Sequence, residues 1–202
     1  MSSRINNLIE QVKTDTEEKT SIASAERLFA DKAEANSAFH RFSEKLLRIE
    51  RWNAESGISS FALFNANGDE MFDEPAATGN FICTKLSGTG KEDWLKIIEI
   101  YETDDERILT VQPTYNPTEK SADKSVTSHF FTRDSTNNFC LQLNAAKINM
   151  YVIGLNEISN TADTNNIIES ARNFATANLG HFFGVQKAEW TKFCNSFLEK
   201  TD

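Results

Sequence analysis

The stretch from Val126 to Ile153 constrains this chain most. It holds three short segments, Val126-Thr-Ser-His-Phe-Phe-Thr-Arg133, Asn138-Phe-Cys-Leu-Gln-Leu143 and Ile148-Asn-Met-Tyr-Val-Ile153, joined at Ser135-Thr136 and Ala145-Ala146. If each joint is a two-residue hairpin loop, Thr132 faces Phe139, Phe130 faces Leu141 and Ser128 faces Leu143. In the second hairpin Leu143 faces Ile148, Leu141 faces Met150 and Phe139 faces Val152. Strand side chains alternate between faces, so all of these fall on one side of a sheet. A slip of one residue in either hairpin would scatter them. Two registers therefore converge on one apolar face, and a β-meander is expected.

The same registers place His129, Gln142 and Asn149 in one row of the opposite face. Phe131, Cys140 and Tyr151 make a second row, and Arg133, Asn138 and Ile153 a third. Such a surface is either the solvated side of an antiparallel sheet or the lining of a polar ligand site, where a few placed polar groups among aromatics set specificity.

The chain has 202 residues, of which 39% are hydrophobic and 25% charged, enough to build one domain with a sizeable core. Its net charge of −9 repels phosphate backbones and anionic lipid surfaces, so neither nucleic acid nor membrane is expected as a partner. Residues 1–12 carry no continuous apolar run, so a secretory signal is not expected. Cys83, Cys140 and Cys194 are widely spaced, odd in number and flanked by apolar residues. They read as reduced, packed thiols of a cytoplasmic protein.

Periodicity divides the chain into three regions. Residues 1–52 read as an N-terminal helical segment. Ile5, Leu8, Ile9 and Val12 mark a short amphipathic helix, and a longer one runs from Ser24 to Trp52. Its seam carries Ala25, Lys32, Phe39 and Leu46 at heptad spacing, and Leu28, Ala35, Phe42 and Ile49 three places later. Such a seam needs a partner. Packing inside the chain is preferred, with a homodimer through Phe39, Phe42, Leu46 and Ile49 as the alternative.

Residues 58–157 read as an antiparallel β-region. Phe61–Phe64 and Glu70–Phe72 flank Asn67-Gly68, a favoured hairpin turn that would pair Phe64 with Met71. Phe81–Leu86 is a strand. Trp94–Tyr101 and Arg107–Val111 form a hairpin across Thr103-Asp104-Asp105, apolar on both faces and so expected mid-sheet or covered.

Residues 161–199 read as two C-terminal helices. The first, with Ile167, Ile168, Ala171, Phe174 and Ala175, would stop at Gly180. The second has Trp190, Phe193, Cys194 and Phe197 on one stripe. The whole is expected to be one α+β domain, a barrel or strongly bent antiparallel sheet of about eight strands with helices packed on it. The order helix, meander, helix resembles small-molecule-binding β-barrel and helix-grip folds at the level of architecture, and fold alone does not assign function.

Chemical motifs are sparse. Ser87-Gly-Thr-Gly-Lys91 lacks the span and the following Ser or Thr of a phosphate loop, because Glu92 and Asp93 come next. His40, His129 and His181 show no metal-pair spacing, and no cofactor is expected. Cys140 and His129 share a face without a group to activate or orient them. The acidic residues from Glu102 to Glu106 crowd one turn and read as a solvated loop. Asn156 and Glu157, at the end of the last strand, can cap the following turn or reach into a barrel mouth.

The resulting expectation is a binding protein for a small amphipathic molecule or a peptide. His129, Arg133, Gln142, Asn149, Tyr151, Asn156 and Glu157 are its candidate polar contacts. The alternatives are a scaffold protein assembling through its long helix, and an enzyme using His129 as acid or base.

Overall fold

The computed structural model describes residues 3–17, 19–54, 59–86, 92–120, 127–129, 131–158 and 179–199, with backbone alone at 54, 59, 86 and 179–186. Its elements are α1 (Arg4–Thr14), β1 (Ser21–Leu28), α2 (Lys32–Leu46), a 3-10 helix (Ile49–Ala54), β2 (Ser59–Phe64), β3 (Glu70–Met71), β4 (Phe81–Leu86), β5 (Glu92–Glu102), β6 (Glu106–Pro113), β7 (Thr136–Asn144), β8 (Lys147–Leu155) and α3 (Leu179–Phe197). Among the described residues eight strands make one antiparallel sheet in the order β1-β8-β7-β6-β5-β4-β2-β3. β1 and β3 are its two edges and do not pair with each other, so the sheet is open and the closed-barrel alternative does not hold.

The second half of the expected meander is present in its expected register. Leu143 pairs with Ile148, Leu141 with Met150 and Phe139 with Val152, across a turn in which Ala145 has φ +55°. The first half is not. β7 pairs with β6, placing Leu109 against Phe139 and Glu106 against Gln142. β6 is buried along nearly its whole length and takes a strand neighbour on each side. Residues 127–129 instead cross the end of the sheet, where the Ser128 carbonyl accepts from the Trp94 N–H (2.9 Å) and the Ser128 N–H donates to the Thr114 carbonyl (2.8 Å). Val126 and Phe130 lie outside the described residues.

The strand that replaces this segment is β1, which the heptad seam assigns to helix. Residues 21–28 pair with β8 over their full length, so Ala25 and Leu28 are strand residues and Leu28 is 73% exposed. The helix begins only at Lys32. Asp31 caps it by accepting from the Glu34 N–H (2.8 Å), while Glu34 accepts from the Ala30 N–H (3.0 Å). These two bonds end the strand and start the helix. From Ala35 onward the seam stands: Phe39, Phe42, Leu46 and Ile49 are buried in the core of the chain itself.

Two smaller differences have local causes. Asn65 accepts from the N–H groups of Asn67 and Asp69, which widens the turn around Gly68 (φ +83°). Phe64 therefore pairs with Glu70, and Leu63 with Met71. Residues 180–184 are helical, so α3 runs through Gly180 and Gly184 rather than starting after them. The expected helix from 161 to 179 and the loop 87–91 lie outside the described residues.

The sheet has helices on both faces. On its inner face α2, the 3-10 helix and α3 enclose the main core. There Trp52, Phe139, Phe193 and Phe197 meet at ring separations of 4.5–6.1 Å. On its outer face the Ile5 side of α1 covers Ile108, Cys140 and Ile153. A third cluster, Phe81, Cys83 and Trp94 with Phe64 and Tyr115, lies at the far end of the outer face. Among the described residues no helix is long and apolar enough to cross a membrane.

Candidate functional site

The polar row foreseen on the outer face exists in part, and α1 lies on it. Gln142 pairs with Asn149, Cys140 with Tyr151 and Asn138 with Ile153. Glu106 takes the place expected for His129 beside Gln142. The Glu106 carboxylate receives the Ser3 hydroxyl and the Arg4 N–H (3.0 Å), at the N-terminus of α1 where the helix dipole favours negative charge. The Gln142 amide donates to Ser3 Oγ (3.1 Å), Asn6 Oδ1 (3.2 Å) and Glu106 Oε1 (3.3 Å), and Gln142 accepts from Asn144 (3.0 Å). Arg4 forks onto Glu99 with two bonds of 2.7 Å and lies over the Tyr101 ring. Those bonds hold Glu99 below the usual carboxylate range. Tyr151 is half-buried against the α1 cluster, and burial raises its pKa.

The other candidates are dispersed. His129 is buried at the start of β5, and its Nδ1 accepts the Phe131 N–H at 2.9 Å. That bond puts the ring proton on Nε2. Burial lowers the pKa of His129 against the opposing charge of Asp93, so the ring is neutral near pH 7. Arg133 is exposed in the approach to β7. Asn156 is exposed at φ +52°, and its carbonyl accepts from the Ser135 hydroxyl (2.5 Å) and the Ile158 N–H (2.8 Å).

Glu157 is placed differently. It is 4% exposed, and its N–H donates to the Lys19 carbonyl at 2.8 Å. Its carboxylate turns back over Gly154. A Cβ built on Gly154 would collide with that carboxylate and come within 2.6 Å of Ser21 Oγ. Gly154 shares the strand parity of Ile148, Met150 and Val152, so the carboxylate stands on the inner face, the α3 side.

Gly154 pairs with Asn137 on one side and Ser21 on the other, which makes a row Asn137–Gly154–Ser21 beneath Glu157. The next row is apolar: Phe139, Val152 and Ala23. Among the described residues neither Glu157 oxygen has a hydrogen-bond partner of good geometry, and neither does Asn137 Oδ1, although Asn137 is only 5% exposed. Burial raises the Glu157 pKa, and the nearby Ser21 hydroxyl opposes the shift only in part. Further along the inner face the Trp52 indole N–H is also buried without an acceptor among the described residues, inside the ring cluster of Phe61, Phe139 and Phe193.

Asn137, Ser21, Gly154 and Trp52 are not among the candidates that the sequence offers. One signal is available: an isolated glycine inside the apolar strand 148–155 marks a close approach by another group. For Asn137 and Ser21 there is none, since both acquire their meaning from strand pairing. Among the described residues no three His, Cys, Asp or Glu side chains are grouped so as to hold a metal ion.

No protein-family model matches the chain, and no curated protein matches it in sequence. Solved structures do resemble it in fold. A hypothetical protein from Helicobacter pylori aligns with a TM-score of 0.45 and 11% identity, over 88% of this chain and 91% of that one. The di-domain ARO/CYC StfQ from the steffimycin biosynthetic pathway aligns at 0.44 and 9% identity, over 88% of this chain and 49% of its own. Ginseng major latex-like protein 151 from Panax ginseng aligns at 0.38 and 11%, over 84% and 95%.

Proposed function

We propose that this protein binds a small amphipathic molecule between the inner face of its sheet and α3. The observation that carries the reading is a group of buried polar atoms without partners on that face, some of those found among the described residues: both oxygens of Glu157, Asn137 Oδ1 and the Trp52 indole N–H. Folded proteins pair the large majority of buried polar atoms, and each one left unpaired costs about 1–3 kcal/mol. A ligand carrying polar groups on an apolar body offsets that cost at both ends of the face. Phe139, Trp52 and the partly buried Trp190, whose ring lies 5.5 Å from Phe139, supply the apolar wall.

The outer polar row has a different part in this reading. Gln142 and Glu106 hold α1, and Asn149 and Tyr151 lie beneath it. The seam residues Phe39, Phe42, Leu46 and Ile49 serve the core, which favours binding within one chain over assembly through α2. Three buried, unpaired thiols fit a reducing compartment such as the cytoplasm.

The test is a titration of the full chain with 1-N-phenylnaphthylamine, a neutral apolar probe, monitored by energy transfer from tryptophan. Saturable one-to-one binding that weakens in Trp190→Ala is expected. Absence of saturable binding, or binding indifferent to Trp190, overturns the reading.

A further inference from the structure

We infer that the ligand's polar end is a cationic amine, received by Glu157 at the β1–β7–β8 end of the inner face. This rests on the binding reading above and names the chemistry of one end of that site.

The backbone fixes the carboxylate. Three hydrogen bonds tie the corner: Glu157 N–H to Lys19 O, Ser135 Oγ to Asn156 O, and Ile158 N–H to Asn156 O. Together with the left-handed Asn156 they turn the Glu157 side chain back over β8. Gly154 leaves the space it occupies. The side chain is thus delivered to the inner face by bonds that are not its own, and among the described residues the Ser21 hydroxyl beside it is the one side-chain group that acts on its oxygens, without a bond of good geometry.

The chemistry of the surroundings is one-sided. Glu157 offers two acceptor oxygens and Asn137 Oδ1 is a third, while the Ser21 hydroxyl is a single neutral donor toward Glu157. Among the described residues no lysine or arginine charge acts on Glu157; the influences on it are burial and the Ser21 hydroxyl. A buried carboxylate lacking a cation is the arrangement that gains most from an incoming one, because removing either partner of such a pair leaves a costly uncompensated charge. An ammonium carries three N–H donors and no acceptor, which suits these oxygens. A carboxylate or phosphate ligand would bring like charge and no donor. The row beside this polar end is Phe139–Val152–Ala23, buried apolar residues against which an alkyl or aryl body attached to the amine would pack.

Competition against bound 1-N-phenylnaphthylamine tests this with three ligands of one chain length: octylamine, 1-octanol and octanoate. A charge-assisted hydrogen bond contributes about 1.5–3 kcal/mol, so octylamine is expected to compete at roughly tenfold lower concentration than octanol or better, with octanoate weakest. Glu157→Gln is expected to bring amine and alcohol to the same strength. Equal competition by amine and alcohol in the unaltered protein overturns the inference, as does an amine advantage that survives Glu157→Gln. If the variant folds poorly, equal competition by amine and alcohol in the unaltered chain still overturns the inference. Failure of the probe itself to bind sinks the binding reading instead, so the two failures are distinguishable.

Discussion

Glu157 is positioned by neighbouring backbone, and this has a measurable consequence before any ligand is added. Its pKa in the folded chain lies above its ordinary value because burial disfavours the charge. The folded state then holds the proton more tightly than the unfolded state does. The associated stabilisation is complete below the unfolded pKa, about 4.3, and is lost as pH rises through the folded one. Glu157→Gln should therefore be more stable than the unaltered chain at neutral pH in urea denaturation, and the difference should close on acidification. A difference that widens on acidification would show that the carboxylate is paired. Phe139→Ala should cost about 3–5 kcal/mol and Leu141→Ala about 2–5, because both are fully buried at the centre of the inner face. The sequence alone predicts a cost well under that for Gln142→Ala. Under α1, however, the side chain is 6% exposed and makes four hydrogen bonds, so a loss of about 1–3 kcal/mol is expected in the same measurement. The strand register legible in the sequence places Gln142 opposite Asn149 correctly. The cover over that pair was not legible, because nothing local to residues 138–153 encodes the docking of a helix that starts at residue 4.

At the scale of elements, α1 and β1 show where local pattern stops deciding. The stripe of Ile5, Leu8, Ile9 and Val12 announces a helix with one apolar side, and the outer-face cluster is where that side goes. Its anchor is Glu106, which receives the first hydroxyl and the first helical N–H. Glu106→Gln should loosen α1 and uncover Cys140, a fully buried thiol whose pKa burial pushes far up. Labelling with a thiol reagent, with mass spectrometry of the tagged peptide, should find Cys140 modified faster in the variant. Cys194, on the buried side of α3 where burial pushes its thiol up to about 12, should keep its slow rate. Equal rates at Cys140 in both proteins would mean that Glu106 is not the anchor. β1 is the opposite case. Ser21–Leu28 has the composition and spacing of a helix, yet it forms eight residue pairs with the edge of β8. The N-cap Asp31 with Glu34 is the local sign of a boundary, and the heptad spacing runs through it.

For the whole molecule, α3 is the element that closes the inner face. Phe193, Cys194, Phe197 and Leu198 are buried against the sheet and α2, and Arg27 and Lys45 bond the carbonyls of Leu198 and Phe197. A chain truncated after Gly184 should lose its sharp thermal transition and expose the aromatic inner face, read by calorimetry and dye binding. A truncated chain that still melts cooperatively would make α3 a lid instead of a wall.

The sequence by itself determined the features that depend on short-range period. These are the β7–β8 register, the β5–β6 hairpin, the stripes of α1 and α3, the seam from Ala35 onward and the class of an antiparallel sheet flanked by terminal helices. About eight strands are expected and eight are present among the described residues, but one member differs, because β1 replaces residues 126–133. Only the tertiary structure decided which strands became neighbours, and with that which polar groups met. Pairing across the sheet brings together positions far apart in the chain, with free energies set by burial and by the partners on offer. Asn137, Gly154, Ser21 and Glu157 therefore come together in space, while in sequence they lie at the starts of two strands, inside a third and just beyond its end.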